Sequence, residues 1–434
     1  MAGAFPNRSA IASAQWTQLR TLLSALLPAN PFYARKCSAA GITSDLASLE
    51  EFSRRVPFTT KLELVEDQRV HPPYGTDLTF PLARYTRCHQ TSGTSGAPLR
   101  WLDTPESWAW MLDNWAEVFC AAGINRADRM FFAFSFGPFL GFWTAFESAL
   151  RIGCRCLPGG GMNSIARLRA ILDQEITVLC GTPTYAIHLA EVAAQEKISL
   201  AAAKLKTIIV AGEPGGSIPA TRQRLEQLWP GTRVCDHHGM TETGPVTFEC
   251  PARPGVLHII ESSYFAEVIN PHTGQPAAPG EIGELVLTNL GRTGSPLLRY
   301  RTGDLVLPVT PNTKLEGPPC ACGRFDLALE GGIRGRTDDM VVVRGVNVFP
   351  GAVEEIIRAA GGVAEFRVHV TQVRALAELS VEIEPGPDCA DPRALARQME
   401  GAFDNAFALR VPVTTVAPGV LPRFEMKARR WVKD

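Results

Sequence analysis

The sequence predicts an α/β protein. It has a large N-terminal domain with parallel α/β sheets plus a β-rich subdomain, then a small α+β domain at the C-terminus. Three observations carry this. Between residues 104 and 235, short apolar runs alternate with amphipathic helical stretches, the pattern of a parallel sheet with right-handed crossovers. From Ala266 the pattern changes to short strands with frequent turns. A charged turn, GRTDD, then opens a helix–strand–strand–helix–strand run, which places the domains at 1–335 and 336–434.

The chain has 434 residues, enough for two or three domains. Hydrophobic residues make up 45% and charged residues 20%, as in ordinary soluble proteins. A formal net charge of -1 gives no field to attract nucleic acid or an acidic membrane surface. The apolar run Leu22 to Leu27 ends at Pro28 and is too short for a signal core or a membrane span. Eleven cysteines, mostly scattered singly, do not form a secreted disulfide framework. The expected compartment is the reducing cytoplasm.

Trp16 to Leu27 carries its leucines on one helical face, and Pro28 and Pro31 stop it. Ser44 is placed as the N-cap of a second short helix. Thr104 begins a helix through Phe119. Strands are expected at Met130–Phe136, Cys154–Leu157, Thr177–Cys180, Thr207–Val210 and Arg233–Cys235. Helices between them cover 142–151, 165–172, 185–194 and 220–228. Further strands follow at Ala266–Asn270, Gly283–Thr288 and Leu305–Pro308. In the last domain, helices span 352–359 and 393–407, and strands 366–372, 378–384 and 411–416.

Ligands of parallel sheets sit at the carboxyl ends of the strands, so the loops there are the places to look. FSFGPF (134–139), AGEPGG (211–216) and DHHGMTETG (236–244) are such loops. The last places His237, His238, Thr241, Glu242 and Thr243 beside glycines, a set suited to a magnesium–nucleotide complex. HQTSGTSGAPLRW (89–101) packs four hydroxyls between Gly93 and Gly96 and can wrap an anion, although such a run is more often a plain surface loop. RYRTGD (299–304) reads either as a surface turn with an Arg–Asp pair or as a site where Asp304 accepts two sugar hydroxyls. Cys320 and Cys322 make a C-x-C turn, with Cys250 and His258 upstream. Three thiolates and an imidazole fit a closed tetrahedral zinc shell, and reduced cysteines in small strands fit the spacing equally well.

The order of these segments is more specific than any one of them. TSGTSG, AGEP, DHHGMTE, RYRTGD, GRTDDMVVVRGVNVFP and PRFEMKARR together resemble the adenylate-forming superfamily of acyl- and aryl-coenzyme A ligases, in particular its phenylacetate–coenzyme A ligase subgroup. The resemblance covers essentially the whole chain. It implies that Thr91, Ser92, Gly93, Thr94, Ser95 and Gly96 hold the ATP phosphates, with Gly212, Glu213 and Pro214 also at the nucleotide. Asp236, His238, Gly239 and Met240 would line the adenine and aryl pockets, with His237 also at the nucleotide, Thr241 near the α-phosphate and Glu242 on Mg2+. Asp304, helped by Arg336, would take the ribose hydroxyls. Asp338 would be the hinge of a mobile C-terminal domain. Arg344 and Gly345 would line the coenzyme A tunnel in one orientation, and Lys427 would reach the reacting oxygens in the other. The subgroup also tips the Cys250, His258, Cys320 and Cys322 set toward structural zinc.

The chain departs from the family pattern at three positions. Ala97 stands where Lys is usual, His238 where Tyr is common, and Met426 where Gly usually precedes the terminal lysine. The implied activity is ATP-dependent aryl–coenzyme A ligation through an acyl-AMP. The alternatives are delivery of the aryl group to a carrier protein or amine, and a non-catalytic nucleotide-binding module. Phe136 and Phe139, with Gly212, His238, Gly239 and Met240, are the expected acid pocket, and an aromatic acid such as a benzoate is favoured over a long acyl chain. Expected partners are that acid, ATP and coenzyme A, with a homodimer as a further candidate and neither nucleic acid nor membrane.

Overall fold

The alternating segment forms a five-stranded parallel sheet in the computed structural model, which describes residues 5–91, 98–309, 318–339, 341–344, 346–373, 376–387, 389–424 and 429–433. The strand order is Arg155–Pro158, Arg129–Phe132, Val178–Gly181, Thr207–Val210, Arg233–Asp236. The two strands Val178–Gly181 and Thr207–Val210 are buried at every position, as strands covered on both faces must be. The flanking helices begin at side-chain caps that satisfy free backbone donors. Thr104, Asn163 and Thr182 accept from the N–H groups of Ser107, Ala166 and Tyr185.

Several expected boundaries move. Ser44 does not cap the second helix; Ser48 caps Leu49–Arg55, accepting from the Glu51 N–H. Pro31 does not only stop the first helix, Arg8–Leu26. It also opens the next, Pro31–Ala39, from a first-turn position that needs no donor. Thr60 and Glu63 form a reciprocal capping box on Lys61–Val70, a helix the periodicity did not reveal. The strand expected to reach Phe136 ends at Phe132 and lies second from one edge of the sheet. Beyond it the backbone turns, with Phe136 at φ 49°.

The β-rich part is a six-stranded antiparallel sheet in the order Thr247–Glu249, Val256–Ile259, Ala328–Arg336, Tyr300–Pro308, Gly283–Asn289, Tyr264–Ile269. Its register pairs Asp304 with Arg336 directly. RYRTGD is therefore mostly strand, not a surface turn. Arg299 pairs with Glu267 and Arg301 with Glu284, leaving Asp304 for other partners.

The C-terminal part has a sheet in the order Val346–Val348, Val341–Val343, Leu376–Pro385, Val363–Val373, Trp431–Lys433, with Val413–Thr415 also pairing Leu376–Pro385. Helices Pro350–Ala360 and Pro392–Phe407 cover it, and Val353, Ile357, Met399 and Phe403 enter its own core. Pro350–Ala360 also packs against Pro219–Leu228 of the larger part. Arg430 bridges the two parts. Its Nε donates to Glu365 at 2.6 Å, and its Nη atoms lie 3.4 Å from the Thr184 hydroxyl. No helix among the described residues is long and apolar enough to cross a membrane.

Candidate active site

The register of the parallel sheet brings the informative loops together. Val210 pairs with Asp236, and Gly181 with Val210, so the loops leaving these strands emerge side by side. The stem of the phosphate-loop candidate is the pair Arg87–Gln90 and Arg100–Asp103, and Gln90 N–H donates to Pro138 O at 2.9 Å. This places the stem against the FSFGPF loop. Thr91 is buried, and its hydroxyl accepts from Leu99 N–H at 3.0 Å, closing the neck of the loop. Ser92 to Gly96 lie outside the described residues, as do Gly345 and Lys427.

In the 236–244 loop each residue has a distinct environment. The Asp236 carboxylate accepts from the Ser217 hydroxyl at 2.5 Å, and burial pushes its pKa up. Gly216 passes so close that a Cβ there would sit 2.6 Å from the Asp236 carboxyl. The His237 ring does not face the site. It is buried 4.2 Å from the Trp115 ring, and its Nδ1 donates to Thr247 O at 2.6 Å. Burial pushes its pKa down to about 3, so this ring stays neutral at working pH and serves the core. This corrects the expectation that His237 lines the nucleotide with its side chain.

His238 does reach the site, because Thr247 Oγ1 accepts from its backbone N–H at 2.9 Å. Its Nε2 lies 3.0 Å from Asp304 Oδ2, in ion-pair range but without the alignment of a hydrogen bond. Arg336 Nη1 donates to the other oxygen, Oδ1, at 2.9 Å. Asp304 is fully buried. Although burial opposes its charge, the neighbouring His238 and Arg336 hold its pKa below the usual carboxylate value. The carboxylate thus remains an ionised acceptor flanked by His238 and Arg336, a group suited to sugar hydroxyls. Arg336 is also held by Asp338, Nε to Oδ1 at 2.8 Å, which links the ribose candidate to the expected hinge.

Glu242 is buried, with Lys61 Nζ 3.1 Å from its Oε1 and the Tyr300 hydroxyl at 3.5 Å. Thr241 beside it is half-buried. Gly239 pairs with Pro245 and Met240 with Gly244 across a tight two-stranded turn, where a Cβ on Gly239 would meet Gly244 O at 2.7 Å. Met240 packs half-buried against the N-terminal helical core. In the 211–216 loop, Gly212 and Pro214 are exposed. Glu213 accepts from Thr184 N–H at 2.9 Å, at the start of helix Pro183–Gln195, where a carboxylate suits the helix dipole.

The aromatic loop splits between core and site. Phe134 is buried, whereas Phe136, Phe139 and Trp143 are half-buried. Phe136 packs edge-on against Trp143 at 5.1 Å and Phe146 at 5.4 Å. Arg344 is exposed and donates to Glu378 at 2.6 Å. Lys61, Ser217 and Arg292 lie outside the sequence motifs. Lys61 could be placed at a helix start from Thr60-x-x-Glu63, but nothing local signals its contact with Glu242, 181 positions away.

A second cluster lies in the β-rich part. The ligand atoms of Cys250, His258, Cys320 and Cys322 all fall within 4.8 Å of one another. Cys250 and Cys320 sulfurs are 3.6 Å apart, and Cys322 Sγ is 3.5 Å from His258 Nε2. His258 Nδ1 donates to Asp326 O at 3.0 Å, which leaves Nε2 as the acceptor facing the thiols. Burial lowers the basicity of this ring, favouring the neutral form that ligates metals.

Comparisons with known proteins agree with this layout. Residues 90–291 match the model of the AMP-binding enzyme family, and residues 345–434 match the AMP-binding enzyme C-terminal domain. Phenylacetate-coenzyme A ligase of Thermus thermophilus is 31% identical over 98% of this chain and 97% of its own. The Escherichia coli phenylacetate-coenzyme A ligase is 31% identical over 92% and 89%. A crystal structure of 2-hydroxyisobutyryl-CoA ligase in its postadenylation state superposes with a TM-score of 0.92 at 28% identity, covering 99% of this chain and 91% of that one. The same ligase in its thioesterification state gives 0.72 at 30% identity, covering 98% and 89%. The two parts of this chain are therefore arranged as in the postadenylation state.

Proposed function

The chain belongs to the phenylacetate–coenzyme A ligase family of AMP-binding enzymes, an AMP-forming acid–thiol ligase, and from that premise we propose that it activates an aromatic carboxylic acid and passes it to coenzyme A. The observation that carries the site reading is Asp304. Its buried, ionised carboxylate sits between His238, 3.0 Å from Oδ2, and Arg336, 2.9 Å from Oδ1.

The acid carboxylate attacks the α-phosphorus of ATP, and the bond to pyrophosphate breaks. Both reactants are anionic, so positive charge must gather at the reacting centre. Ser92 to Gly96 would hold the phosphates, Asp304 and Arg336 the ribose, and Lys427 the α-phosphate and carboxylate oxygens. Glu242, a buried carboxylate, fits a hard cation and would hold Mg2+, which supplies charge stabilisation when bound. Here Lys61 already places a positive charge against Glu242. In the second step the coenzyme A thiolate attacks the acyl carbon and AMP leaves. Residues 336–434 would turn at Asp338 between the steps, bringing Arg344 and Gly345 to the pantetheine path. Cys250, His258, Cys320 and Cys322 fit a structural Zn2+. Two zinc-bound sulfurs sit roughly 3.8 Å apart when Zn–S is about 2.3 Å in a tetrahedron.

Phe136, Phe139 and Trp143 support a flat ring as substrate. A second reading, a short branched hydroxy acid, rests on the close superposition with the 2-hydroxyisobutyryl-CoA ligase. A pyrophosphate-release screen over aryl, branched hydroxy and straight-chain acids tests the proposal, with coenzyme A and a phosphopantetheinylated carrier compared as acceptors. Aryl acids and coenzyme A should lead. Release with no acid in the panel would overturn the activity, and preference for short hydroxy acids would overturn the aromatic assignment.

A further inference from the structure

Arg292 belongs to none of the motifs above, yet its side chain is fully buried directly beneath the 241–243 turn. Its Nε and Nη2 donate to the two oxygens of Asp103, each at 2.7 Å. Its Nη1 donates to the carbonyls of Thr241 and Glu242, each at 2.8 Å. The next carbonyl, Thr243 O, accepts from the Tyr264 hydroxyl at 2.9 Å. Three consecutive carbonyls of the turn are thus fixed from within the fold.

Asp103 is itself anchored. It ends the strand Arg100–Asp103, one half of the stem from which residues 91–99 leave, and its carbonyl accepts from Thr86 N–H at 3.0 Å. One guanidinium therefore ties the stem of the phosphate-loop candidate to the Thr241–Glu242 turn. Only a planar fork can do this, since it meets a carboxylate bidentately while a further nitrogen reaches two carbonyls. Lysine offers a point charge without that geometry.

We propose that Arg292, clamped by Asp103, is a positioning residue for adenylation, fixing the Thr241–Glu242 turn against the stem strand Arg100–Asp103. This rests on the roles given above to Thr241 and Glu242. It adds that their placement is built into the fold before nucleotide arrives, which lowers the reorganisation needed in the transition state.

The test uses the full chain with Arg292→Lys, Asp103→Asn and, as reference, Glu242→Gln. Pyrophosphate release is measured against magnesium and ATP with the best acid from the screen. Thioester formation is measured separately from chemically prepared acyl-AMP and coenzyme A. The ratio of the two rates does not depend on how much of a sample is folded, so a destabilised variant still reports. Arg292→Lys should lower that ratio on the order of 100-fold, the scale of a misplacement of about 1 Å, and raise the magnesium concentration for half-maximal release. Asp103→Asn keeps the shape, loses the charge and should shift the ratio in the same direction. If Glu242→Gln loses adenylation while both other variants keep the parental ratio, Arg292 is purely structural and the proposal fails with the site reading intact. If Glu242→Gln also keeps the parental ratio and magnesium dependence, the site reading itself fails.

Discussion

Asp304→Asn isolates the proposed ribose contact from the fold around it. The amide oxygen can still accept from Arg336 at the Oδ1 position, now 2.9 Å away, so that bond survives. Arg336 keeps a counter-ion in Asp338. At the Oδ2 position, however, an NH2 group replaces an ionised acceptor. Hydrogen bonds to a charged group contribute about 1.5–3 kcal/mol each, and one to two would be lost. A loss of about 2–4 kcal/mol corresponds to a rise of roughly 30- to 1,000-fold in the ATP concentration for half-maximal pyrophosphate release. The assay is acid-dependent release against ATP, with thermal unfolding as the control for folding. Charge also fixes the pH behaviour. The folded pKa of Asp304 is depressed, so its contribution is present above the ordinary Asp value of about 3.9 and is lost as pH falls through the lower folded value. Near neutral pH, ATP affinity in the parent should therefore not change with pH through titration of this group. A folded Asp304→Asn protein with parental ATP dependence would refute the ribose assignment.

Two other expectations concern the metal cluster and the terminal lysine. Protein purified without chelators should hold about one zinc per chain, and Cys322→Ser should reduce both zinc content and thermal stability while the surviving folded enzyme keeps its turnover. Metal analysis without zinc would remove that assignment. Lys427→Ala should slow pyrophosphate release by two or more orders of magnitude, on the order of 3 kcal/mol, while thioester formation from supplied acyl-AMP stays near the parental rate. An equal fall in both steps would rule out two orientations of residues 336–434.

What was legible in the sequence was mostly local. The parallel sheet could be read because Val178–Gly181 and Thr207–Val210 are apolar at almost every position, and the helices between them carry their own caps. The edges were harder. Ser44 and Ser48 are equally good N-cap residues by type, and only the packing of Phe52 into the N-terminal core selects the second. Phe134 and Phe136 continue the apolar run of Arg129–Phe132, so composition could not show where pairing stops. Pairing stops at Phe132, and beyond it Phe136 adopts φ 49°, in the left-handed region.

The site divides along the same line. Asp304 and Arg336 sit in separate motifs that the resemblance assigns to one ribose site, and the structure makes them register partners on adjacent antiparallel strands. His237 and His238 are adjacent in sequence and chemically identical, so no local rule separates them. Their environments do. Thr247 holds the His237 ring with its carbonyl and the His238 backbone with its hydroxyl, which turns one imidazole inward to Trp115 and the other outward to Asp304. Arg292 and Lys61 belong to a third kind. Their partners lie between 50 and 189 positions away, and no local pattern signals those contacts. Such residues escape sequence reading because their role is to fix distances between motifs, and a distance between motifs exists only once the chain has folded. It follows that the residues a motif assigns to substrate are the easier half of this candidate site to read, and those that set its geometry are found by following buried charges inward from it.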